Sequence, residues 1–233
     1  MGIFSKFVRG TFRGGLYLTS LGAGFALCAR PWPDSPLFAK PMELVKEKRS
    51  RDNLIQHFKS KGYDDVTMFD DYQRILNNEN FRVIELDQMI PEAHRYNQVT
   101  QGLLNLNNPI VLINRKEGEL VMFGKADNEN IIGHDNKVHN GIITILLDET
   151  TCFCGFDKLP SKRGVTAKLD LNFYGKIQPN SRFVLKTKVE EARGRKVTIK
   201  GTVISAEGDR LADAKCLLVE PRWFKYFNWV ELF

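Results

Sequence analysis

The sequence predicts an α+β fold in which a curved antiparallel sheet wraps around a long central helix. The first observation is an apolar run from Asn140 to about Phe156, interrupted by Asp148 and Glu149 and long enough for a helix. The second is that four strand-like segments follow this run and one or two precede it. Because a helix that is apolar on most sides must be covered on most sides, the sheet must curve around it.

The first strand-like segment after the helix shows a clear alternation of apolar and polar residues. From Val165 to Tyr174 the period is two, which is typical of a half-buried antiparallel strand. This alternation places Val165 and Ala167 toward the helix and Thr166 on the opposite face. The other segments are Phe183–Val189, Val197–Ser205 and Leu211–Val219 after the helix, and Ile110–Asn114 and Glu119–Lys125 before it.

An extension precedes this body. Residues 34–107 are predicted to form a linker and a helical extension, with one or two amphipathic helices between Pro41 and Lys61 and a short helix around Asp71–Leu76. The predicted body then spans residues 108–222. An aromatic tail, residues 223–233, is expected to pack on its own domain or on a partner subunit.

Residues 1–33 differ from the rest of the chain in charge. They hold four of the 34 basic residues and no Asp or Glu, so the remainder carries 30 basic and 28 acidic side chains. A basic, acid-free amphipathic start is typical of a mitochondrial presequence. Residues 14–29 lack charge and would span about 24 Å as a helix, against ~30 Å for a bilayer core. A cleaved targeting peptide and a short retained membrane anchor therefore compete, and a secretory signal ranks below both.

Composition excludes several classes of function. The nearly balanced charge after residue 33, without a basic stripe, argues against nucleic-acid binding. No Gly-rich phosphate loop or metal-binding motif is present, so no cofactor and no metal are expected. The cysteines match neither a zinc nor a redox motif and are expected to be buried free thiols: Cys28, Cys152, Cys154 and Cys216.

The candidate catalytic residues lie in the apolar helix and at its start. His139-Asn140-Gly141 forms the loop-to-helix junction, where unpaired N–H groups can stabilise an oxyanion. Asp148 lies among apolar neighbours, an environment that suits a general base or nucleophile. Because eight residues of helix span about 12 Å, a sheet edge or second subunit must bring a carboxylate to such an N-terminus. In the alternative, Asp148 and Glu149 only occupy an exposed helix edge.

These residues resemble a known family. His139-Asn140-Gly141-x6-Asp148 is similar to the H-G-G-x6-D signature of hotdog-fold acyl-CoA thioesterases of the phenylacetate-pathway type. Gly164–Tyr174 and Leu211–Pro221 look like the strands that follow it in that family. The resemblance covers about residues 108–222 and is greatest to a fungal mitochondrial, membrane-associated branch.

The resemblance implies a homodimer, or a higher homo-oligomer, with sites at the interface. It implies that Asp148 is the base or nucleophile, that Asn140 supplies the oxyanion N–H, and that His139 shapes the site. Thr166 would position the water or the carboxylate, which requires a bulge or a contact across the dimer. Further residues expected to bind substrate are Gly141, Glu149 and Arg163, the last as one of several basic residues suited to coenzyme A phosphates.

Three departures from the family pattern stand out, the first being that Glu149 adds a second carboxylate next to Asp148. Asn140 replaces a glycine, although Asn tolerates positive φ better than most residues. Gly133 stands where the family often has Asn. The expected function is hydrolysis of an acyl-CoA thioester by a protein associated with the mitochondrial inner membrane through residues 14–29. The alternative is a catalytically inactive hotdog scaffold or acyl-binding protein at that membrane.

Overall fold

The computed structural model describes residues 50–63, 69–84, 106 and 108–222. The helices and strands, in chain order, are α1 (Arg51–Ser60), α2 (Asp70–Asn77), β1 (Arg82–Ile84), β2 (Ile110–Asn114), β3 (Glu119–Lys125), α3 (Asn140–Phe156), β4 (Val165–Phe173), β5 (Arg182–Arg193), β6 (Lys196–Ser205) and β7 (Arg210–Val219). A 3₁₀ turn, Glu129–Ile131, lies between β3 and α3.

The seven strands form one antiparallel sheet in the order β1-β2-β3-β5-β6-β7-β4. The sheet curves around α3, which packs against β3 to β7. The predicted α+β hotdog architecture is therefore confirmed. Strand β4 forms one edge of this sheet and β1, which the sequence did not predict, forms the other.

Two glycines let α3 lie close to the sheet. A Cβ atom on Gly155 of α3 would lie 2.8 Å from Cδ1 of Ile199, and one on Gly201 of β6 would lie 2.9 Å from Cδ2 of Leu147. Larger residues at either position would push the helix away from the strands. The close approach places the side chains of α3 directly against those of β4 and β7.

Helices α1 and α2 cover the opposite face of the sheet. Their apolar side chains, including Phe58 and Ile75, form a second core with Leu112 and Phe123. All five residues of β2 are consequently buried, because the strand has a packed layer on each side. Arg74 of α2 also binds both carboxylate oxygens of the buried Glu119, at 2.6 and 2.9 Å.

A bulge changes which side chains of β4 face the helix. Thr166 pairs with Leu218 and Lys168 with Leu217, so Ala167 is an extra residue in β4. The alternation predicted from the sequence is therefore wrong at the start of this strand. Thr166 faces α3 and is half-buried, whereas Val165 is 41% exposed and Ala167 is exposed.

Several sequence predictions lie outside the described residues: the segment 1–33 with its candidate anchor 14–29, and the aromatic tail 223–233. Among the helices in the described ranges, none combines the length and apolar character needed to cross a membrane.

Candidate active site

The start of α3 is organised by His139, which caps the helix. The Nδ1 atom of His139 accepts a 3.0 Å hydrogen bond from the Gly141 backbone N–H. The backbone N–H of His139 donates to the Ile131 carbonyl oxygen at 2.9 Å. A Cβ atom on Gly141 would lie 2.9 Å from that Nδ1. The His-x-Gly spacing thus has a local cause, since only glycine leaves room for the capping imidazole.

Asn140 is the first residue of α3, and its backbone N–H is available to a ligand. The next two N–H groups are engaged, that of Gly141 by His139 Nδ1 and that of Ile142 by the His139 carbonyl at 3.0 Å. Within the described part of the chain, the Asn140 N–H has no such partner. It points from a helix terminus that carries positive partial charge. An oxyanion could therefore bind there.

Asn140 does not have the positive φ that was expected to explain why Asn can replace glycine at this position. Among the described residues other than glycine, positive φ occurs at Asn108, Asn136, Lys162 and Asn180, and so not at Asn140. Asn140 has helical backbone geometry that any residue can adopt. Replacement of the family's glycine at this position therefore costs no backbone strain.

Asp148 lies in α3, two turns after Asn140, and its side chain faces β4. The Thr166 hydroxyl donates a 2.9 Å hydrogen bond to its Oδ1, and Thr166 Oγ1 also lies 3.1 Å from Sγ of Cys152. Asp148 is half-buried, and its carboxylate is held in place by the hydrogen bond from Thr166. The predicted pairing of Asp148 with Thr166 is present within one chain.

Cys152 and Cys216 also lie beside Asp148, and no pattern in the sequence indicates this arrangement. Cys152 follows Asp148 by four residues and lies on the same face of α3, while Cys216 lies on the inner face of β7. A hydrogen bond with Cys216, burial and the nearby carboxylate all raise the pKa of the Cys152 thiol. Cys152 is thus a protonated neighbour at neutral pH and not a thiolate nucleophile.

Cys154 faces away from this cluster. Its Sγ lies 3.2 Å from the Gly118 carbonyl oxygen, and burial raises the pKa of its thiol to about 11. Cys152, Cys154 and Cys216 are all free, Cys154 and Cys216 buried and Cys152 half-buried. The predicted free thiols are confirmed for these three, and Cys28 lies outside the described residues.

The remaining candidate residues are less closely tied to Asp148. Glu149 and Arg163 are both half-buried, and their role in substrate binding stays a prediction. Lys186 of β5, a basic residue of the sheet, forms a 3.0 Å ion pair with Asp71 of α2. It belongs to the face of the sheet opposite α3, because its strand partner Val121 lies in the second core.

Comparisons with known proteins show which protein superfamily the chain resembles. Residues 135–212, which contain the His139–Gly141 junction, Asp148 and Thr166, match the model of the thioesterase superfamily. The phenylacetic acid degradation protein PaaI of E. coli aligns with 54% of this chain and 90% of its own, at 11% identity and a TM-score of 0.45.

Two relatives cover nearly the whole chain. An uncharacterised mitochondrial protein of Candida albicans is 34% identical over 226 residues, which is 92% of this chain and 95% of the relative. MIOREX complex component 3 of Saccharomyces cerevisiae is 34% identical over 260 residues, covering 91% and 93%. The chain belongs to the thioesterase superfamily, in the same family as these two fungal proteins.

Proposed function

We propose that the protein hydrolyses an acyl-CoA thioester to a carboxylate and free CoA. Asp148 of one protomer acts on the thioester as general base or nucleophile, and the Asn140 N–H of a second protomer binds the oxyanion. The observation that carries the proposal is the hydrogen bond from Thr166 to Asp148 Oδ1, which joins the two residues that the family resemblance assigns to the reaction.

The chemistry follows from this arrangement. With Oδ1 held by Thr166, the other oxygen of Asp148 is left to accept a proton from water as that water attacks the thioester carbonyl. The tetrahedral oxyanion forms next to the Asn140 N–H. Its collapse breaks the C–S bond, and the proton on Asp148 passes to the departing CoA sulfur. In direct attack, the Asp148 carboxylate forms a mixed anhydride with the acyl group as the C–S bond breaks, and the CoA thiolate that leaves takes a proton from solvent. Water then hydrolyses the anhydride to the free carboxylate and regenerates Asp148, so the same two groups are used.

A second protomer is part of the proposal because one helix cannot supply both groups. Asn140 and Asp148 are eight residues apart on α3, or about 12 Å along its axis. The edge strand β4 offers a surface for pairing: the described large hydrophobic residues that are exposed are Val165, Phe173 and Tyr174, at 41%, 37% and 61%. An unpaired edge with apolar side chains favours association with another strand. We therefore propose a homodimer, or a higher homo-oligomer, joined through β4.

We also propose that the protein resides in mitochondria. The Candida relative is named as mitochondrial, and residues 1–33 have the basic, acid-free composition of a presequence. Attachment to the inner membrane through residues 14–29 would follow if that segment is retained. N-terminal sequencing of the mature protein, with carbonate extraction of the organelle, distinguishes a retained anchor from a cleaved leader.

A second candidate function is a scaffold or acyl-binding protein without turnover. It is favoured by the name of the yeast relative, a component of the MIOREX complex. Such a protein would bind acyl chains or partner proteins at the inner membrane. It would retain the β4 edge and the fold but release no CoA.

Thiol release from acyl-CoAs of graded chain length separates the two functions. The full-length protein is compared with Asp148→Asn and with Asp209→Asn, an exposed carboxylate in the turn between β6 and β7. We expect hydrolysis by the wild type and by Asp209→Asn, and a loss of about 10²–10⁴-fold in Asp148→Asn. Equal rates for wild type and Asp148→Asn at every chain length would exclude the hydrolase, and saturable binding without release would support the scaffold.

A further inference from the structure

Asp148, Cys152 and Cys216 form a cluster that no sequence motif indicates. Their ligand atoms, one carboxylate oxygen and two sulfurs, all lie within 4.8 Å of one another, and Cys152 Sγ lies 4.0 Å from Asp148 Oδ1. Asp148 and Cys152 belong to α3, whereas Cys216 belongs to β7 and follows Cys152 by 64 positions in the sequence. Only the folded sheet around α3 therefore brings them together.

We propose that Asp148, Cys152 and Cys216 form a binding site for Zn²⁺, and that a bound ion inhibits hydrolysis. With Zn–S bonds of about 2.3 Å and a Zn–O bond of about 2.0 Å, tetrahedral ligands lie about 3.5–3.8 Å apart. The separation between Cys152 Sγ and Asp148 Oδ1 is 4.0 Å, and no pair of the three atoms is more than 4.8 Å apart, so rotation of the side chains toward one another can complete the geometry. The fourth position remains for water.

The ligand types select the metal. Two sulfurs and one carboxylate oxygen suit Zn²⁺, whereas Mg²⁺ and Ca²⁺ require oxygen ligands. The cluster is also reachable, because Asp148 and Cys152 are half-buried while Cys216 closes the inner side at 0% exposure. Thr166 already contacts both Asp148 and Cys152, so it can hold the carboxylate in a ligating orientation.

Binding changes the chemistry of the site in a defined way. The thiols of Cys152 and Cys216 each lose a proton to solvent, and Zn²⁺ takes the place of those protons. The same ion binds one oxygen of Asp148, Oδ1 being the one next to Cys152. The positive charge of the ion lowers the basicity of the whole carboxylate, so the other oxygen becomes a poorer acceptor of a proton from water. This consequence for activity rests on the proposed function, but the binding of the metal does not.

Metal titration of the full-length protein tests the site without an activity assay. Zn²⁺ binding is measured by competition with a chromophoric chelator, and Co²⁺ binding by its thiolate charge-transfer absorption. The variants are Cys152→Ala and Cys216→Ala. Cys154→Ala is the matched control, because Cys154 is a cysteine of α3 as buried as Cys216, but its Sγ lies against the Gly118 carbonyl oxygen and not in the cluster. Circular dichroism verifies that each variant is folded, and Mg²⁺ serves as the hard-metal control.

We expect one Zn²⁺ per chain in the wild type and in Cys154→Ala, with Co²⁺–thiolate absorption in both. Affinity should fall at least tenfold in Cys152→Ala and in Cys216→Ala. Equal affinity in all four proteins, or the loss of binding only in Cys154→Ala, would overturn the proposal. If hydrolysis is detected, Zn²⁺ should suppress it in the wild type and not in Cys152→Ala; if none is detected, the metal titration still decides the site.

Discussion

The hydroxyl of Thr166 reaches Oδ1 of Asp148 at 2.9 Å because strand β4 contains one extra residue, Ala167. Without this bulge, Thr166 would lie on the face of the sheet opposite α3. The bulge thus converts an exposed strand position into a partner of a helix carboxylate. Bulges commonly redirect a side chain in this way beside functional sites.

Removing this hydroxyl should slow the reaction while leaving the fold intact. Hydrogen bonds to charged groups contribute about 1.5–3 kcal/mol, so Thr166→Val should lower kcat by roughly 10–100-fold. Thr166→Ser keeps the hydroxyl and should retain most activity. Steady-state kinetics on an accepted acyl-CoA measure both variants. A Thr166→Val enzyme as fast as the wild type would mean that the bond does not position the carboxylate for chemistry.

The oxyanion role of Asn140 depends on a backbone N–H, which proline lacks. Proline is tolerated at the first position of a helix, and the extended His139 backbone, at φ −67° and ψ 132°, suits a residue before proline. Asn140→Pro should therefore preserve thermal stability but lower kcat by about 10²–10³-fold. Asn140→Ala, which keeps the N–H, is the control and should stay active. Parallel loss in both variants would instead indicate a role for the Asn side chain.

Much of the fold follows from the sequence alone. The bounds of α3 were predictable because apolar residues occupy most of its sides and His139 marks its start. Strands β2 and β3 were predicted at their observed bounds, and β4 to β7 by alternation. The three-residue β1 is too short to give such a pattern, and the amphipathic pattern of α1 did not indicate which surface of the sheet it would cover.

The candidate site was less predictable than the fold. Asp148 and the His139–Gly141 junction were identified from their place on the apolar helix and from the resemblance to the H-G-G-x6-D signature. The side of β4 on which Thr166 lies instead depends on one inserted residue. A bulge of this kind leaves no periodic signal, since a one-residue shift exchanges the two faces of a strand. The meeting of Cys152 with Cys216 likewise depends on how β7 lies against α3.

The exposed edge strand should control the oligomeric state. Because a twofold interface places the same residues on both sides, lysines at Val165 and Phe173 would oppose one another and disfavour association. The double variant Val165→Lys/Phe173→Lys should be monomeric by light scattering, folded by circular dichroism and without hydrolytic activity. Glu207→Lys, in an exposed turn between β6 and β7, should remain oligomeric. An active monomer would refute the shared site.

Burial of Cys154 should make stability depend on alkaline pH. Its thiol has an ordinary pKa of 9.0 and a pKa of about 11 in the folded chain, so the folded state keeps the proton between these values while the unfolded state loses it. The free energy of unfolding should therefore fall as pH rises from about 9 to 11, by up to about 3 kcal/mol from this group. Denaturant unfolding of wild type and Cys154→Ala at several pH values measures the difference. An identical pH dependence in the two proteins would contradict this assignment.

Mixing two inactive variants tests the shared active site most directly. Asp148→Asn and Asn140→Pro each disable both sites of a homodimer, but a mixed dimer regains one intact site when the two groups come from different protomers. After subunit exchange at equal concentrations, half of the dimers are mixed, so about a quarter of the wild-type rate of CoA release should return. Wild-type hydrolysis with no recovery in verified mixed dimers would show that Asp148 and Asn140 do not act across the interface.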